Sequence, residues 1–158
     1  MTAAGPKRVA VLGSTGSVGL STLDVVRSLP ERLRVVGLCA GSRWKDLADQ
    51  IREFQPAVAA LADEEHRSEL EDDLNGCDTE LRWGCEGVEA VAACPEADVV
   101  VSAIAGGAGL PAAVCVLRSG KTLALANKEA LVMGGHLMMD LAARHQTAVL
   151  PVDSEHSA

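Results

Sequence analysis

The sequence predicts an α/β fold in which a doubly wound, mainly parallel sheet carries helices on both faces. Short apolar segments alternate with amphipathic helical stretches along nearly the whole chain, which is typical of linked strand–helix–strand units. Apolar residues make up 48% of the 158 residues but aromatics only 2%, so Ala, Val and Leu must form the core. Strands of that composition suit a sheet that is buried on both faces. The length indicates one domain of ordinary size.

The amino-terminal half is predicted to contain three strands, each followed by a helix. The first two strands are the apolar runs RVAVL and LRVVGLC, and the second helix places Leu47, Ala48, Ile51 and Phe54 on one face. The third helix is highly charged and is expected to be exposed. The predicted elements are strand 8–12, helix 18–29, strand 33–39, helix 45–54, strand 57–61 and helix 64–74.

The carboxyl-terminal half continues the alternation, with Pro95 and Gly120 ending helices and a glycine-rich turn at 106–109. Its predicted elements are strand 81–84, helix 87–93, strand 98–104, helix 111–118, strand 121–126, helix 135–144 and strand 147–150. Three methionines near the last helix have helical spacing and are expected in the core; they are Met133, Met138 and Met139.

Charge and composition exclude several classes of partner. The formal net charge is −8, and a nucleic-acid-binding protein usually needs a basic face, so no nucleic acid is expected. No apolar run approaches the length of a membrane span, and no signal peptide is recognisable at the amino terminus. The five cysteines are odd in number and form no CxxC pair, which favours reduced thiols in a cytoplasmic protein. Cys39 and Cys115 lie in apolar runs and are expected to be core residues.

The turn after the first strand carries the strongest functional signal. Gly13, Gly16 and Gly19 form a GxxGxxG pattern between an apolar strand and a helix, and Thr15 and Ser17 add hydroxyls that can cap the helix or bond phosphate. A strand that turns sharply into a helix brings backbone close to a pyrophosphate, and the helix N-terminus supplies N–H groups and partial positive charge. The pattern therefore predicts a Rossmann-like dinucleotide site. The alternative is a glycine-rich turn without a ligand.

The end of the second strand indicates which dinucleotide is bound. An acid at this place bonds the ribose 2′-hydroxyl of NAD, whereas here Gly41, Ser42 and Arg43 follow the strand without an acid. The planar fork of Arg43 can hold a phosphate, and Ser42 adds a donor. These residues favour NADP over NAD, the alternative being an ordinary turn with a solvated arginine.

Two polar segments follow the later strands. Asn127, Lys128 and Glu129 come directly after strand 121–126, where Lys128 can stabilise a developing enolate or alkoxide. The alternative interpretation of the same segment is the start of a helix with Asn127 as its N-cap. Asp153 and Glu155 follow the last strand, and their i, i+2 spacing lets both reach one cation in extended chain, although an acidic loop is usually only solvated.

Read together, these segments resemble 1-deoxy-D-xylulose 5-phosphate reductoisomerases. The matching stretches are LGSTGSVGLSTLDVV (12–26), RVVGLCAGS (34–42), AIAGGAGL (103–110), GKTLALANKEALV (120–132) and LPVDSEHSA (150–158). The resemblance implies NADPH-dependent isomerisation and reduction of 1-deoxy-D-xylulose 5-phosphate to 2-C-methyl-D-erythritol 4-phosphate, in the methylerythritol phosphate route to isoprenoid precursors. It also implies a divalent metal (Mg, Mn or Co) and a homodimer.

The resemblance also implies roles for individual residues. The residues expected to contact NADPH are Thr15, Gly16, Ser17, Val18, Gly41, Ser42, Arg43, Asn127 and Glu129. Lys128 and Glu155 are implied to be catalytic, with Lys128, Ser154 and Glu155 on the substrate and Asp153 and Glu155 on the metal. The family often has other residues after the glycine at position 41, so Ser42 and Arg43 depart from its pattern.

Family members are much longer, so the chain is expected to be part of a larger polypeptide and inactive alone. Residues 1–150 are predicted to form the NADPH-binding domain, and 151–158 to begin a catalytic domain. Two other functions stay open. One is an NADP-dependent dehydrogenase of the semialdehyde type, although no cysteine follows Cys115 to serve as its nucleophile. The other is an NADPH-binding module without chemistry.

Overall fold

A parallel sheet of seven strands forms the centre of the computed structural model, which describes residues 5–152. The strand order is β4-β3-β2-β1-β5-β6-β7, and every neighbouring pair is parallel. The strands are β1 (Lys7–Leu12), β2 (Leu33–Ala40), β3 (Val58–Leu61), β4 (Glu80–Trp83), β5 (Val99–Ser102), β6 (Thr122–Leu125) and β7 (Val149–Pro151).

Helices cover both faces of this sheet. They are α1 (Ser17–Ser28), α2 (Trp44–Phe54), α3 (Arg67–Asp73), α4 (Gly84–Ala92), α5 (Gly109–Arg118) and α6 (Lys128–Arg144). Buried side chains of α1, α2 and α3 form one apolar cluster with one face of the strands, and those of α4, α5 and α6 form a second cluster with the other. The predicted Rossmann-like, doubly wound α/β fold is confirmed, and the sheet is wholly parallel.

The chain changes direction across the sheet between β1 and β5. The strands from β1 to β4 run outward on one side, and β5, β6 and β7 run outward on the other. A crevice opens at the carboxyl ends of two neighbouring strands when their connections leave in opposite directions. Ligands of open α/β sheets bind in this crevice. The functional site is therefore expected where Leu12 and Ser102, which are paired in register, end their strands.

Several element boundaries differ from the sequence prediction. Helix α6 starts at Lys128, seven positions before the predicted start, because the side chain of Asn127 caps it. The predicted helix 135–144 begins after Gly134, but this glycine lies inside α6, where its non-helical backbone produces a kink. The predicted helix 64–74 begins as a single 3-10 turn, and strand β5 ends two residues early at Ser102.

The three methionines do not share one environment. Met138 is fully buried in the α4–α6 cluster, but Met133 is 64% and Met139 57% exposed, so the prediction that all three lie in the core is wrong for two of them. Three other apolar residues of α6 are also exposed, namely Leu131, Val132 and Leu137. Hydrophobic spacing alone could not show which side of α6 meets the sheet.

Candidate functional site

The turn from β1 into α1 is fixed to the neighbouring strands by backbone contacts. The N–H groups of Gly13 and Ser14 both donate to the carbonyl of Cys39, each at 2.8 Å. Gly13 has φ +83°, and a Cβ there would lie 2.7 Å from the carbonyl oxygen of Ala103. A Cβ on Gly19 would lie only 2.2 Å from the carbonyl oxygen of Gly13. Two glycines of the pattern are thus required by packing within the chain.

The middle glycine, Gly16, is not required by packing within the chain. Gly16 is the N-cap of α1, with φ −79° and ψ 172°, a conformation that any residue adopts. A Cβ there would approach nothing closer than the carbonyl oxygen of Gly13 at 3.5 Å. No side-chain hydrogen bond caps the helix, so of the two roles expected for Thr15 and Ser17, capping the helix or bonding a phosphate, the structure does not show the first. Open space beside an uncapped helix N-terminus fits a phosphate group, which needs close backbone approach and free N–H donors.

Two clefts meet at this glycine. The first, of about 310 Å³, lies toward β2, and its lining residues include Gly13, Thr15, Gly16, Gly41, Ser42, Arg43, Ala103, Ile104 and Ala105. The second, of about 290 Å³, lies toward β6 and is lined by Gly16, Ser17, Val18, Ala103, Ile104, Ala105, Ala126, Asn127 and Glu129. Every residue predicted to contact NADPH lines one or both clefts. Together the two clefts have room for a long ligand that crosses the switch point and passes the α1 N-terminus.

Arg43 bridges the ends of β1 and β2. Its guanidinium donates to the carbonyl of Thr15 and lies 3.6 Å from the carboxylate of Asp46, while 58% of its side chain stays exposed. The five N–H donors of arginine leave some available for a phosphate. The sequence prediction did not include Asp46, which lies in the first turn of α2 and not at the end of β2. This carboxylate weakens the positive charge that Arg43 presents.

The thiol of Cys39 lies under the first cleft and is inert. Cys39 is 2% exposed, and burial raises the pKa of its thiol to about 12. A thiol must lose its proton to act as a nucleophile, so this cysteine does no chemistry at neutral pH. Its placement confirms the predicted core position, whereas Cys115 is only partly buried.

The start of α6 places two predicted site residues, Asn127 and Glu129, at the second cleft and a third, Lys128, at a neighbouring cavity. The Oδ1 atom of Asn127 accepts the N–H of Ala130 at 3.2 Å, as an N-cap does. Glu129 lines the second cleft, and the exposed Lys128 lies at a neighbouring, mostly apolar cavity of about 270 Å³ that is also lined by Leu131. Both interpretations of this segment, a helix start and a ligand-facing edge, are compatible with the structure.

The predicted metal site falls outside the described residues. Asp153, Ser154 and Glu155 all lie beyond residue 152. Within residues 5–152, no three His, Cys, Asp or Glu side chains are grouped so that they could hold a metal ion.

In the same part of the chain, no helix is both long enough and apolar enough to cross a membrane.

A further cavity, of about 340 Å³, lies at the opposite edge of the sheet. It is lined by residues at the amino ends of β2, β3 and β4, including Arg34, Pro56 and Thr79. Ligands of open α/β sheets bind at the carboxyl ends of strands, so this cavity is not the candidate site.

Comparison with known proteins identifies the family. Residues 9–135 match the family model of 1-deoxy-D-xylulose 5-phosphate reductoisomerase. This chain belongs to that family. The 1-deoxy-D-xylulose 5-phosphate reductoisomerase of Pelotomaculum thermopropionicum is 50% identical over 154 residues, which are 96% of this chain and 40% of that protein. The chain thus spans about 40% of the length of this curated relative. The family assignment decides against the semialdehyde dehydrogenase alternative.

Solved structures of family members have the same fold. The reductoisomerase of Zymomonas mobilis in complex with NADPH superposes with a TM-score of 0.91 at 43% identity, covering 97% of this chain and 40% of that one. A reductoisomerase in complex with NADPH, fosmidomycin and magnesium has the same TM-score at 38% identity, covering 96% and 38% of the two chains. The described part of this chain therefore has the fold of the NADPH-binding domain of the family.

Proposed function

We propose that this chain is the NADPH-binding part of a 1-deoxy-D-xylulose 5-phosphate reductoisomerase. The observation that carries the proposal is Gly16, whose ordinary backbone and open surroundings leave room for a pyrophosphate at an uncapped helix N-terminus. The family assignment and the NADPH complex of the Zymomonas mobilis enzyme support it. Residues 1–150 form the binding domain in this proposal, and 151–158 begin the catalytic domain.

Each half of the cofactor has its own cleft in this proposal. The adenosine half with its 2′-phosphate lies toward Gly41, Ser42 and Arg43, which line the first cleft. The nicotinamide half lies toward Asn127 and Glu129 in the second. Thr15, Gly16, Ser17 and Val18 contact the pyrophosphate side, where the α1 N-terminus offsets the net charge of −8 locally.

The chemistry proposed for the complete polypeptide is isomerisation of 1-deoxy-D-xylulose 5-phosphate followed by reduction to 2-C-methyl-D-erythritol 4-phosphate. NADPH supplies a hydride when it is bound. Lys128 holds the substrate and stabilises negative charge that develops on its oxygens. Ser154 and Glu155 also contact the substrate. Since substrate access and water exclusion need the rest of the polypeptide, this chain alone is not active in the proposal.

A divalent metal (Mg, Mn or Co) completes the proposed site. Asp153 and Glu155 supply oxygen ligands of the kind these ions prefer, and a family member forms a complex with magnesium. In a polypeptide extended to the length of the curated relatives, Asp153→Asn or Glu155→Gln should remove most turnover and leave NADPH affinity within about twofold, because each change discards one ligand charge. Full activity in either variant would contradict the metal assignment.

The complete protein is proposed to be a cytoplasmic homodimer with no nucleic-acid or membrane partner. A second candidate function, an NADPH-binding module without chemistry, shares the two clefts but requires no substrate site at Lys128.

Calorimetry on the 158-residue chain with NADPH and with NADH tests the proposal directly. We expect NADPH to bind at least about tenfold more tightly, since Arg43 faces the extra phosphate without an acid at the strand end. Equal affinities would contradict the assignment to NADP, and no binding of either would contradict the dinucleotide site.

A further inference from the structure

The side chain of Asn127 connects the first turn of α6 to the loop that follows β5. Its Nδ2 group donates to the carbonyl oxygen of Ile104 at 2.7 Å and to that of Gly106 at 2.6 Å. Its Oδ1 atom accepts the N–H of Ala130 at 3.2 Å. Both donors of the amide are therefore used inside the chain, and Asn127 is only 5% exposed.

The orientation of this amide is settled by its neighbours. Exchanging the oxygen and nitrogen would point Oδ1 at two carbonyl oxygens and Nδ2 at the N–H of Ala130, so all three contacts would become repulsive. The same three contacts cannot be reproduced by aspartate or serine, which keep an oxygen for the cap but have no amide donors.

Gly109 leaves the space that the amide occupies. Its φ of −75° suits any residue, so its backbone does not require glycine. A Cβ at this position would lie 2.7 Å from Asn127 Nδ2 and 2.9 Å from the carbonyl oxygen of Ile104. Glycine is needed at 109 because a side chain there would push Asn127 away from the loop.

The loop that Asn127 holds forms the wall between the two clefts. Ile104 and Ala105 line both clefts, and Gly106 continues the loop at φ +67°. On the β6 side this wall faces Asn127 itself, where the proposed nicotinamide half lies. The position of the loop therefore determines the shape of that cleft.

We propose that Asn127 is a positioning residue, which holds the 104–106 loop against α6 and thereby shapes the second cleft before the cofactor arrives. This inference rests on the proposed NADPH-binding function. A preformed wall spares the cofactor the cost of ordering the loop on binding. The specific consequence is that Asn127 acts through the loop, in addition to any contact that it makes with the ligand.

The test compares two ligands on the full 158-residue chain. Asn127→Ser keeps a capping oxygen and removes both loop contacts. We expect it to bind NADPH about tenfold more weakly, as the loss of two hydrogen bonds suggests, while adenosine 2′,5′-bisphosphate, which lacks the nicotinamide half, loses less than about threefold. An equal loss for both ligands, or no loss for either, would overturn the proposal.

Gly109→Ala provides an independent second variant. It should weaken NADPH binding to the same degree, because it displaces the same amide. The double variant Asn127→Ser, Gly109→Ala should bind no more weakly than Asn127→Ser alone, since one contact cannot be lost twice. Additive losses would show that the two residues act separately and would contradict the proposal.

Thr79→Ala is the matched control for general destabilisation. Thr79 is also buried, and its hydroxyl donates to the carbonyl of Pro56 at 2.8 Å, at the opposite edge of the sheet. Removing this hydrogen bond should lower the free energy of unfolding without changing the ratio of the two ligand affinities.

Amide hydrogen exchange without any ligand measures the loop directly. We expect peptides covering 104–109 to exchange faster in Asn127→Ser than in the parent chain or in Thr79→Ala. Unchanged exchange would overturn the proposal. If the parent chain bound neither ligand, the proposed NADPH function would fail, whereas faster exchange would still show that Asn127 holds the loop.

Discussion

At the scale of single residues, the three glycines of the first turn are equivalent in sequence but not in structure. Gly13 needs its positive φ, and Gly19 needs the absence of a side chain against the carbonyl of Gly13. Gly16 needs neither, and its surroundings are open. The GxxGxxG spacing predicted the turn, but it could not separate these causes, because they depend on the backbone angles of the turn and on which atoms approach each glycine.

Gly16→Val should separate ligand binding from folding. Valine readily adopts the extended backbone of Gly16, so we expect the free energy of unfolding to fall by less than about 1 kcal/mol. NADPH affinity should fall more than about tenfold, because the branched side chain fills the space proposed for the pyrophosphate. Urea unfolding and calorimetry measure the two effects.

Gly19→Ala is the control for this pair of measurements. A Cβ at position 19 would overlap backbone atoms of Gly13 and Ser14. The Gly19→Ala change should therefore lower the free energy of unfolding by about 3 kcal/mol or more, even if the turn shifts slightly. Normal NADPH binding by Gly16→Val would show that the pyrophosphate does not lie against Gly16.

Arg43→Ala should narrow the preference for NADPH over NADH. The change removes a cation next to the proposed 2′-phosphate, and a charge-assisted hydrogen bond contributes about 1.5–3 kcal/mol. We expect NADPH affinity to fall about tenfold or more and NADH affinity to change little, as measured by calorimetry at fixed ionic strength.

Two further variants control for this charge effect. Arg34→Ala removes a cation at the opposite end of β2 and should leave both affinities nearly unchanged. Asp46→Asn removes the carboxylate 3.6 Å from Arg43 and should tighten NADPH binding. If Arg34→Ala narrowed the preference as much as Arg43→Ala, the effect would come from net charge and not from Arg43.

At the scale of elements, α6 shows where sequence patterns fail. The N-cap role of Asn127 could be predicted from its position after a strand, and the structure confirms it. Its contacts with Ile104 and Gly106 join residues 23 and 21 positions apart, and no local pattern reports such a contact. The predicted helix 135–144 leaves out Gly134, which lies at a kink inside α6. A Cβ at Gly134 would lie 2.5 Å from a side-chain carbon of Leu110, which shows close packing of α5 on α6.

The neighbouring methionines of α6 provide a test of which face is buried. Met138→Ala should lower the free energy of unfolding by about 2–5 kcal/mol, because it opens a cavity in a fully buried position. Met139→Ala changes the next residue, which is exposed, and should lower the free energy of unfolding by less than about 1 kcal/mol. Denaturant unfolding of both variants measures these two changes in free energy. Similar changes would contradict the burial of Met138 and the exposure of Met139.

The contact between β1 and β5 should make part of the stability depend on pH. Arg8 donates to Asp98 through its backbone N–H at 2.8 Å and through its guanidinium at 3.2 and 2.8 Å, and these bonds lower the pKa of Asp98 from 3.8 to about 2. A carboxyl with a lowered pKa stabilises the fold above its unfolded pKa and loses that effect as the pH falls toward the folded one.

Asp98→Asn should therefore destabilise the chain at neutral pH and progressively less as the pH falls below 3.8 toward 2. The pair is partly exposed, so the difference at neutral pH should be at most about 1 kcal/mol. Urea unfolding of the parent chain and of Asp98→Asn over this pH range measures the difference in unfolding free energy. A difference that stays constant with pH would show that the charge of Asp98 contributes nothing.

At the scale of the whole molecule, the alternation of strands and helices predicted the layers, and the glycine turn predicted the edge of the sheet at which the two clefts lie. The strand order could not be derived from the pattern, because β5 joins the sheet beside β1 only through contacts 90 residues apart, such as that between Arg8 and Asp98. The two clefts follow from that order, since they lie on either side of the wall formed after β5.

The division between binding and chemistry supplies the last prediction. The described residues contain the two clefts proposed for the cofactor but no group of three potential metal ligands, and the chain spans about 40% of a curated relative. We expect the 158-residue chain to bind NADPH, raising its Tm at saturating cofactor. With NADPH, Mn²⁺ and 1-deoxy-D-xylulose 5-phosphate, it should oxidise no NADPH, as followed by absorbance. The Zymomonas mobilis reductoisomerase, assayed in parallel, is the positive control. Turnover by the chain alone would mean that Lys128 and the carboxylates beyond residue 152 suffice for the reaction, without the further length that the curated relatives have.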